Sequence, residues 1–351
     1  MKLYSLLFIA LAAIVFNSCS PKPAQPEKQE NVKYYRGLLF SETSWDLEKG
    51  SREITAEEAK TINNYKFTLN ENGQIVSVEY NRNDSLLDYS SMGVAKIVYT
   101  YDGNLQLKRA FDAKNEPAKN DGVSVFEYTL DSTGMRVALR FLDDAGKPVE
   151  NRNKIHNYAW TKMPDGMIQE KRYNLANEMV IMNPFCPFFE LRFTYDAKGY
   201  VTRMANYDND TLYNCTAENC GEVGVSYFLF ENNEYGDVQS FSVHNTTGRL
   251  SNLYWGWAKR VNSVDANGHV TETVMYDQDD EYLGGKGIPI TQTIYDEHGA
   301  AVKRISMDKD RNVINDPNSG VAVTEYKYDE VGRRIETVRF DKDGKPVENK
   351  G

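Results

Sequence analysis

The chain has 351 residues, 41 Lys plus Arg against 51 Asp plus Glu, a formal net charge of −10, and 23 tyrosines. An acidic body of this kind will not seek nucleic acid or anionic lipid, so both drop out as partners. Only four histidines are present, which leaves few candidates for a catalytic base or a metal ligand.

Met1-Lys2-Leu3-Tyr4 precedes an apolar run from Leu6 to Phe16, followed by Asn17-Ser18-Cys19. A charged start, a short apolar stretch and small residues at a cut site read as a signal peptide over residues 1–18. The run is too short to span a bilayer as a stable helix. Ser18-Cys19 resembles the lipobox of bacterial lipoproteins, with Phe16 where Leu is usual and Asn17 where a small residue is usual. The resemblance implies that Cys19 becomes the acylated first residue, carrying palmitate-type chains. At about 0.8 kcal/mol per buried CH₂, two or more such chains hold a protein on a membrane essentially permanently. Residues 19–31 are polar and rich in Pro, a stiff, extended spacer. Removing residues 1–18 takes away Lys2 alone and moves the charge from −10 to −11. Ser20 after Cys19 resembles outer-membrane sorting, and both the periplasmic and the outward face remain open.

Residues 32–64 form an N-terminal cap. Thr55 stands where a helix N-cap would, with Glu58 three residues on, the capping-box signature of a short helix.

From residue 65 to 351 one signal recurs: an aromatic or aliphatic residue, Asp or Asn, two residues, then Gly. Tyr195-Asp196-Ala197-Lys198-Gly199 and Tyr328-Asp329-Glu330-Val331-Gly332 are full copies; Tyr101-Asp102-Gly103, Pro164-Asp165-Gly166 and Asn233-Glu234-Tyr235-Gly236 are shorter or degenerate. The glycines stand at 73, 103, 134, 166, 199, 236, 268, 299 and 332, at intervals of 30, 31, 32, 33, 37, 32, 31 and 33 residues. A fixed period of this length marks a repeat architecture. A second punctuation follows about eight residues later, as in Phe141-Leu142-Asp143-Asp144-Ala145-Gly146 and Phe340-Asp341-Lys342-Asp343-Gly344. Asp and Asn suit tight turns and Gly supplies positive φ, so both punctuations read as hairpin turns. Between them apolar residues alternate, as in Met135, Val137, Leu139 and Phe141, the pattern of half-buried strands.

The repeated Tyr-Asp-x-x-Gly turn, followed by a strand and a Phe-Asp-x-x-Gly turn, resembles the YD repeats of rearrangement-hotspot (RHS) proteins, and Asp84-Ser85-Leu86, Asp131-Ser132-Thr133 and Asp210-Thr211-Leu212 resemble the O-glycosylation acceptor of Bacteroidetes lipoproteins. The YD resemblance implies an antiparallel sheet that winds as hairpins are added, in some members into a shell around cargo. This chain has far fewer repeats and no appended toxin domain. The fold expected is all-β: about nine tandem antiparallel hairpins in an elongated twisted sheet or open β-solenoid, with a small N-terminal cap containing a short helix.

Cys186, Cys215 and Cys220 permit one bridge in an oxidising compartment, with Cys215 to Cys220 favoured because they share a loop. Asn183-Pro184-Phe185-Cys186-Pro187-Phe188-Phe189 and Leu253-Tyr254-Trp255-Gly256-Trp257 break the repeat with aromatics. Tyr254, Trp255, Trp257, Phe185 and Phe188 are therefore the candidate ligand platform, against the plainer reading that they fill the core. Two residues apart, Trp255 and Trp257 would share one face of a strand. His269 and His298 flank turn glycines, where any polar residue serves, and His156 and His244 show no recurring Ser, Cys or Asp pattern around them, so no catalytic residue, cofactor or metal is assigned. Asp308-Lys309-Asp310-Arg311-Asn312 and Asp341-Lys342-Asp343-Gly344 open like calcium loops, but neither continues to a spaced Glu, and turns require the same residues.

The function expected is a non-catalytic binding or scaffolding lipoprotein that presents a surface to a glycan or another envelope protein. A structural or cargo-shielding module of a secretion or toxin system is the alternative from the YD resemblance. An envelope hydrolase would need clustered carboxylates in a cleft. If Cys19 is the anchor, Cys19→Ala releases the protein into the soluble fraction; a variant that still pellets with membranes refutes lipidation.

Overall fold

This computed structural model describes residues 31–181, 190–213, 224–253, 255–284 and 287–348. They form one antiparallel sheet of twenty-three strands and one four-residue helix, α1 (Ala56–Ala59). The Thr55 side chain accepts the Glu58 amide at 3.2 Å, and the Glu58 carboxylate accepts the Thr55 amide at 2.9 Å, so the capping box is formed. Strand β1 (Asn31–Leu38) lies between β2 (Gly50–Ile54) and the first strand of the first hairpin.

Nine hairpins follow among the described residues: Asn64–Leu69 with Ile75–Arg82, Lys96–Asp102 with Leu105–Phe111, Val125–Leu130 with Arg136–Leu142, Asn157–Lys162 with Ile168–Tyr173, Glu190–Tyr195 with Val201–Asp208, Tyr227–Asn232 with Val238–His244, Lys259–Val264 with Val270–Tyr276, Ile290–Tyr295 with Ala301–Met307, and Val323–Tyr328 with Arg334–Phe340. Each pairs with the next, so β2 and Arg334–Phe340 are the two edges, and they do not pair with each other. The all-β array of about nine hairpins expected from the glycine spacing is therefore the architecture found.

Asp196 shows how a tip is made. Its Oδ1 accepts the amides of Lys198 and Tyr200, each at 2.9 Å, while the Gly199 amide donates to the Asp196 carbonyl at 3.0 Å. The ladder slips one residue between Thr194 and Tyr195, and Gly199 has φ +79°. This is a type I turn closed by a left-handed residue and a bulge. The same bonds recur at Asp131, Asp265, Asp296 and Asp329. The second punctuation makes a short hook after each hairpin. Its pairs include Leu142 with Pro148, His244 with Leu250 and Phe340 with Pro346. Asp308 Oδ1 accepts the amides of Asp310 and Asn312 at 2.9 and 2.8 Å, and Asp341 Oδ1 those of Asp343 and Lys345 at 2.9 and 2.8 Å, which is turn chemistry.

The sheet winds, and its inner face carries the core. Phe126, Tyr128, Leu139 and Phe141 of the third hairpin, and Phe228, Phe230, Phe241 and Val243 of the sixth, belong to one buried cluster. The loop of residues 39–49 runs inside the winding against that face. Trp45 Nε1 donates to the Arg136 carbonyl at 3.0 Å, Thr43 Oγ1 donates to Glu170, and Lys108 Nζ pairs with Glu48 at 2.7 Å. The Arg136 guanidinium donates to the Ser44 and Asp46 carbonyls at 3.1 and 2.6 Å and lies 3.7 Å from the centre of the Tyr128 ring.

Winding brings later turn tips against the N-terminal unit in chain order. Lys49 Nζ donates to the Gly199 carbonyl at 3.2 Å, Ser51 Oγ to that of Tyr235 at 3.2 Å, and Arg52 Nε to that of Ala266 at 3.1 Å. The Asn63 amide donates to the His298 carbonyl at 2.8 Å, and Arg82 to that of Glu330 at 3.4 Å. The fifth to ninth tips thus step along residues 49–82 as a seam.

Gly236 and Gly134 separate the seam from the turn. Both have nearly the same φ, +85° and +84°, yet a Cβ on Gly236 would lie 2.5 Å from Leu39 and 2.8 Å from Tyr200, while Gly134 has nothing within 4 Å. Gly236→Ala should therefore cost about 1–3 kcal/mol more than Gly134→Ala, the usual penalty of overpacking. Denaturant midpoints measure the difference. Equal losses would show that the sixth tip is not pinned.

Candidate ligand-binding site

The pairing register aligns inner-face positions from one hairpin to the next. Phe228, Phe230, Phe241 and Val243 of the sixth correspond to Arg260, Asn262, Thr273 and Met275 in the seventh. They correspond to Thr291, Thr293, Arg304 and Ser306 in the eighth and to Thr324, Tyr326, Thr337 and Arg339 in the ninth. The four in the sixth hairpin are buried; their successors are half-buried, and Arg304 is exposed. One face of one sheet therefore changes from dry core to open polar surface. Sequence reasoning missed these residues, although applying the period-two pattern in repeat register would have shown Arg, Thr and Asn replacing Phe.

A cavity of about 700 Å³ opens over this surface, bounded by Thr291, Arg304, Ser306, Thr324, Tyr326 and Arg339 and, from the loops, by Trp255, Trp257 and Asp316. Its size falls within the usual range for small-molecule sites. Trp255 and Trp257 sit on a turn at Gly256 (φ +88°), which corrects the expectation of a strand. Their rings stack at 4.8 Å and 25°, and Trp255 Nε1 donates to the Trp257 carbonyl at 2.7 Å. Phe241 of the core lies 6.4 Å from the Trp255 ring and 5.6 Å from that of Trp257. The pair is thus seated on the core on one side and walls the cavity on the other. Such stacking is worth about 0.5–1.5 kcal/mol beyond the area it buries. Of the other platform candidates, Tyr254, Phe185 and Phe188 lie outside the described residues, as do Cys19, Cys186, Cys215 and Cys220.

A second hollow, about 660 Å³, separates the 39–49 loop from the inner face and is lined in part by Glu42, Glu48, Lys108 and Arg260. Burial alone would raise Glu48, but the charges of Lys108 and Arg136 outweigh it and hold the carboxyl at about 2. Glu42 goes the other way: burial, then the charge of Glu170, push it up to about 8 against the pull of Arg260.

The four histidines serve the fold. His156 Nδ1 meets the Val149 carbonyl at 2.9 Å, and His298 Nδ1 that of Thr61 at 2.6 Å across the seam. His269 Nδ1 meets Asp265 at 3.2 Å within its own turn. His244 has a serine neighbour that the sequence reading did not note: Ser242 Oγ lies 2.8 Å from its Nε2, while its Nδ1 meets the Gly248 carbonyl at 3.0 Å. Ser242 is buried, however, so the contact offers a substrate no approach.

No family model and no curated protein matches the chain. Among solved structures, it is similar to the TcdB2-TccC3 protein without its hypervariable C-terminal region, at 10% identity and TM-score 0.31, over 80% of this chain and 14% of that one. The TcdB2-TccC3-Cdc42 structure matches at 10% identity and TM-score 0.31, over 87% and 15%. A porin-like protein from Bacteroides uniformis matches at 10% identity and TM-score 0.22, over 87% and 93%. The chain thus spans about a seventh of the length of the first two.

Glu42 generates a pH dependence with a definite sign. Folded Glu42 keeps its proton to about 8 whereas the unfolded side chain releases it near its ordinary 4.5, so the folded state holds the extra proton between those values. Its contribution to stability is therefore present at low pH and is lost as pH rises through that window. Glu48 contributes the reverse, stability lost as pH falls from 4.5 toward 2. Melting temperatures should decline from about pH 5 to pH 8.5, and Glu42→Gln should flatten the decline. An unchanged slope in the variant would rule Glu42 out as its source.

Proposed function

We propose that the chain is a non-catalytic binding module of the bacterial envelope, held at the outer membrane through lipid on Cys19, and that its ligand is a glycan seated on the inner face of the last three hairpins. The observation that carries this reading is the change of that face from Phe and Val to Thr, Arg, Tyr and Ser beneath a cavity of about 700 Å³ walled by stacked Trp255 and Trp257. Sugars present flat C–H faces to rings and hydroxyls to short polar side chains, and both kinds of partner are present here. The anchor rests on Ser18-Cys19 and the Pro-rich spacer.

The YD likeness supports the winding of the sheet and carries no function by itself. Cargo shielding fits less well, because the 39–49 loop occupies the interior and leaves a hollow of about 660 Å³, the volume of a small ligand rather than of a folded polypeptide. The hydrolase reading asks for paired carboxylates in a cleft. Glu48 is engaged by Lys108 and Tyr99, Glu170 by Thr43 and Trp160, and Asp46 by Ser41 at 3.0 Å, so each carboxylate near Glu42 already has its own partners.

A glycan array probed with residues 19–351 tests the proposal. Trp255→Ala should weaken binding to the captured glycan about tenfold or more, the loss of roughly 1.4 kcal/mol. The variant should melt within a few degrees of the parent. A blank array sinks the glycan reading, and a collapsed variant returns Trp255 to the core.

A further inference from the structure

Beyond the first cavity lies another, of about 320 Å³, assembled from both ends of the chain. Tyr80, Asp88 and Tyr89 come from the first hairpin and its hook, and Tyr295, Tyr328 and Arg334 from the last two hairpins. Arg304 and Tyr326 line both this hollow and the cavity below the tryptophans, so the two adjoin at those side chains. The combined groove follows the strand Val323–Tyr328. Val321 lines its hook end and Tyr328 its turn end. The seven steps from Val321 to Tyr328, at about 3.4 Å each, make that roughly 24 Å, several times the width of one sugar ring.

The two linings balance in charge, Arg304, Arg334 and Arg339 against Asp88, Asp316 and Glu348, and Arg304 stands where the two hollows adjoin. Arg304 is exposed, and neither it nor Arg334 has an ion pair among the described residues. The Arg334 guanidinium instead lies 3.3 Å from the centre of the Tyr89 ring and 5.1 Å from that of Tyr326, a stacked contact that does not use its edge donors. Tyr89 is 68% exposed at the mouth and holds φ +62°, a strained conformation for a non-glycine residue. Of the carboxylates in the two linings, Asp316 spends Oδ1 on the amides of Asn318 and Ser319 at 2.9 and 2.8 Å. Asp88 and Glu348 are the others.

We infer that the ligand is a linear, carboxylate-bearing glycan that extends from Trp255 and Trp257, past Arg304 and Tyr326, to the tyrosines at the seam. The inference rests on the glycan reading above and adds charge and length to it. Arginine forks match carboxylates, and the rings offer successive stacking faces to a chain of sugars. An acidic peptide fits the floor less well, because Thr291, Thr293 and Thr324 provide hydroxyls where a peptide groove would alternate apolar pockets.

Calorimetric titration of residues 19–351 with dimers and octamers of galacturonate, alginate and hyaluronan tests this, with the methyl-esterified octamers and poly-L-glutamate as comparators. At least one acidic octamer should bind about tenfold or more tighter than its dimer and than its ester. Arg304→Gln, a change at an exposed side chain, should remove that preference while leaving the melting temperature in place, and Tyr328→Ala should weaken the octamer but not the dimer. Equal binding of acid and ester, or no effect of Arg304→Gln, overturns the acidic ligand and leaves the glycan reading to the array. Poly-L-glutamate binding tighter than every uronate overturns the glycan class itself. No binding by any acidic octamer overturns the inference.

Discussion

At seven of the nine hairpin tips one side-chain oxygen of Asp or Asn accepts two backbone amides, and the glycine that follows turns left-handed to bring them there; the second and fourth tips, at Asp102 and Asp165, turn without that pair. The tips are largely exposed, so each of these bonds contributes only about 0.5–1.5 kcal/mol net, and the preference for the turn comes from two such bonds made together with the left-handed glycine. The bulge that accompanies the turn at Thr194 and Tyr195, and at the matching steps of the later hairpins, adds twist to the sheet. Twist repeated at near-equal intervals becomes winding. Winding, in turn, lays the fifth to ninth tips along residues 49–82. The interior, the seam and the groove all follow from a local contact made over and over.

The two halves of the array are held by different forces. The third to sixth hairpins close over a continuous apolar cluster. In the last two, the fully buried apolar residues are Ile290, Ala300 and Ala322, too few and too small to anchor the hairpins. Backbone ladders and the seam must do that work. Contacts such as Asn63 with His298 and Arg82 with Glu330 thus support the surface that lines the groove. Regions with few buried apolar contacts open more readily than a packed core, and binding surfaces are drawn from them.

The turns were legible because their chemistry is local: Asp196 and Gly199 are three residues apart and dictate each other's geometry. The same holds for Thr55 and Glu58 at the helix. The seam was not legible, since Lys49 meets a residue 150 positions away and Arg82 one 248 away, and nothing in either neighbourhood names the partner. The 39–49 loop was hidden for the same reason. Trp255 and Trp257 were found but placed on a strand, because a spacing of two mimics strand alternation when Gly256 in fact folds the segment back. The polar inner face was present in the sequence throughout. It went unread because attention fell on aromatics that interrupt the repeat instead of on the residues that replace Phe228, Phe230 and Phe241 within it.

Hairpins alike in backbone create a problem of registration that the seam solves. A sheet of alike hairpins could wind one unit too far or too few, since each tip offers much the same backbone. Arg52 distinguishes them. Its guanidinium pairs with Asp237, the residue after the sixth turn glycine, with one contact at 2.8 Å and both side chains largely buried. The residues at that place in the other eight repeats are Gln74, Asn104, Met135, Met167, Tyr200, His269, Ala300 and Arg333, none of them acidic. A slip by one unit in either direction would face a buried guanidinium with Tyr200 or His269 and leave its charge uncompensated. Removing one partner from a buried ion pair typically costs about 3–5 kcal/mol, whereas the pair itself adds little net stability. The ion pair therefore matters less for how firmly the molecule folds than for which winding it adopts, and with it where the tyrosines of the first hairpin meet those of the last.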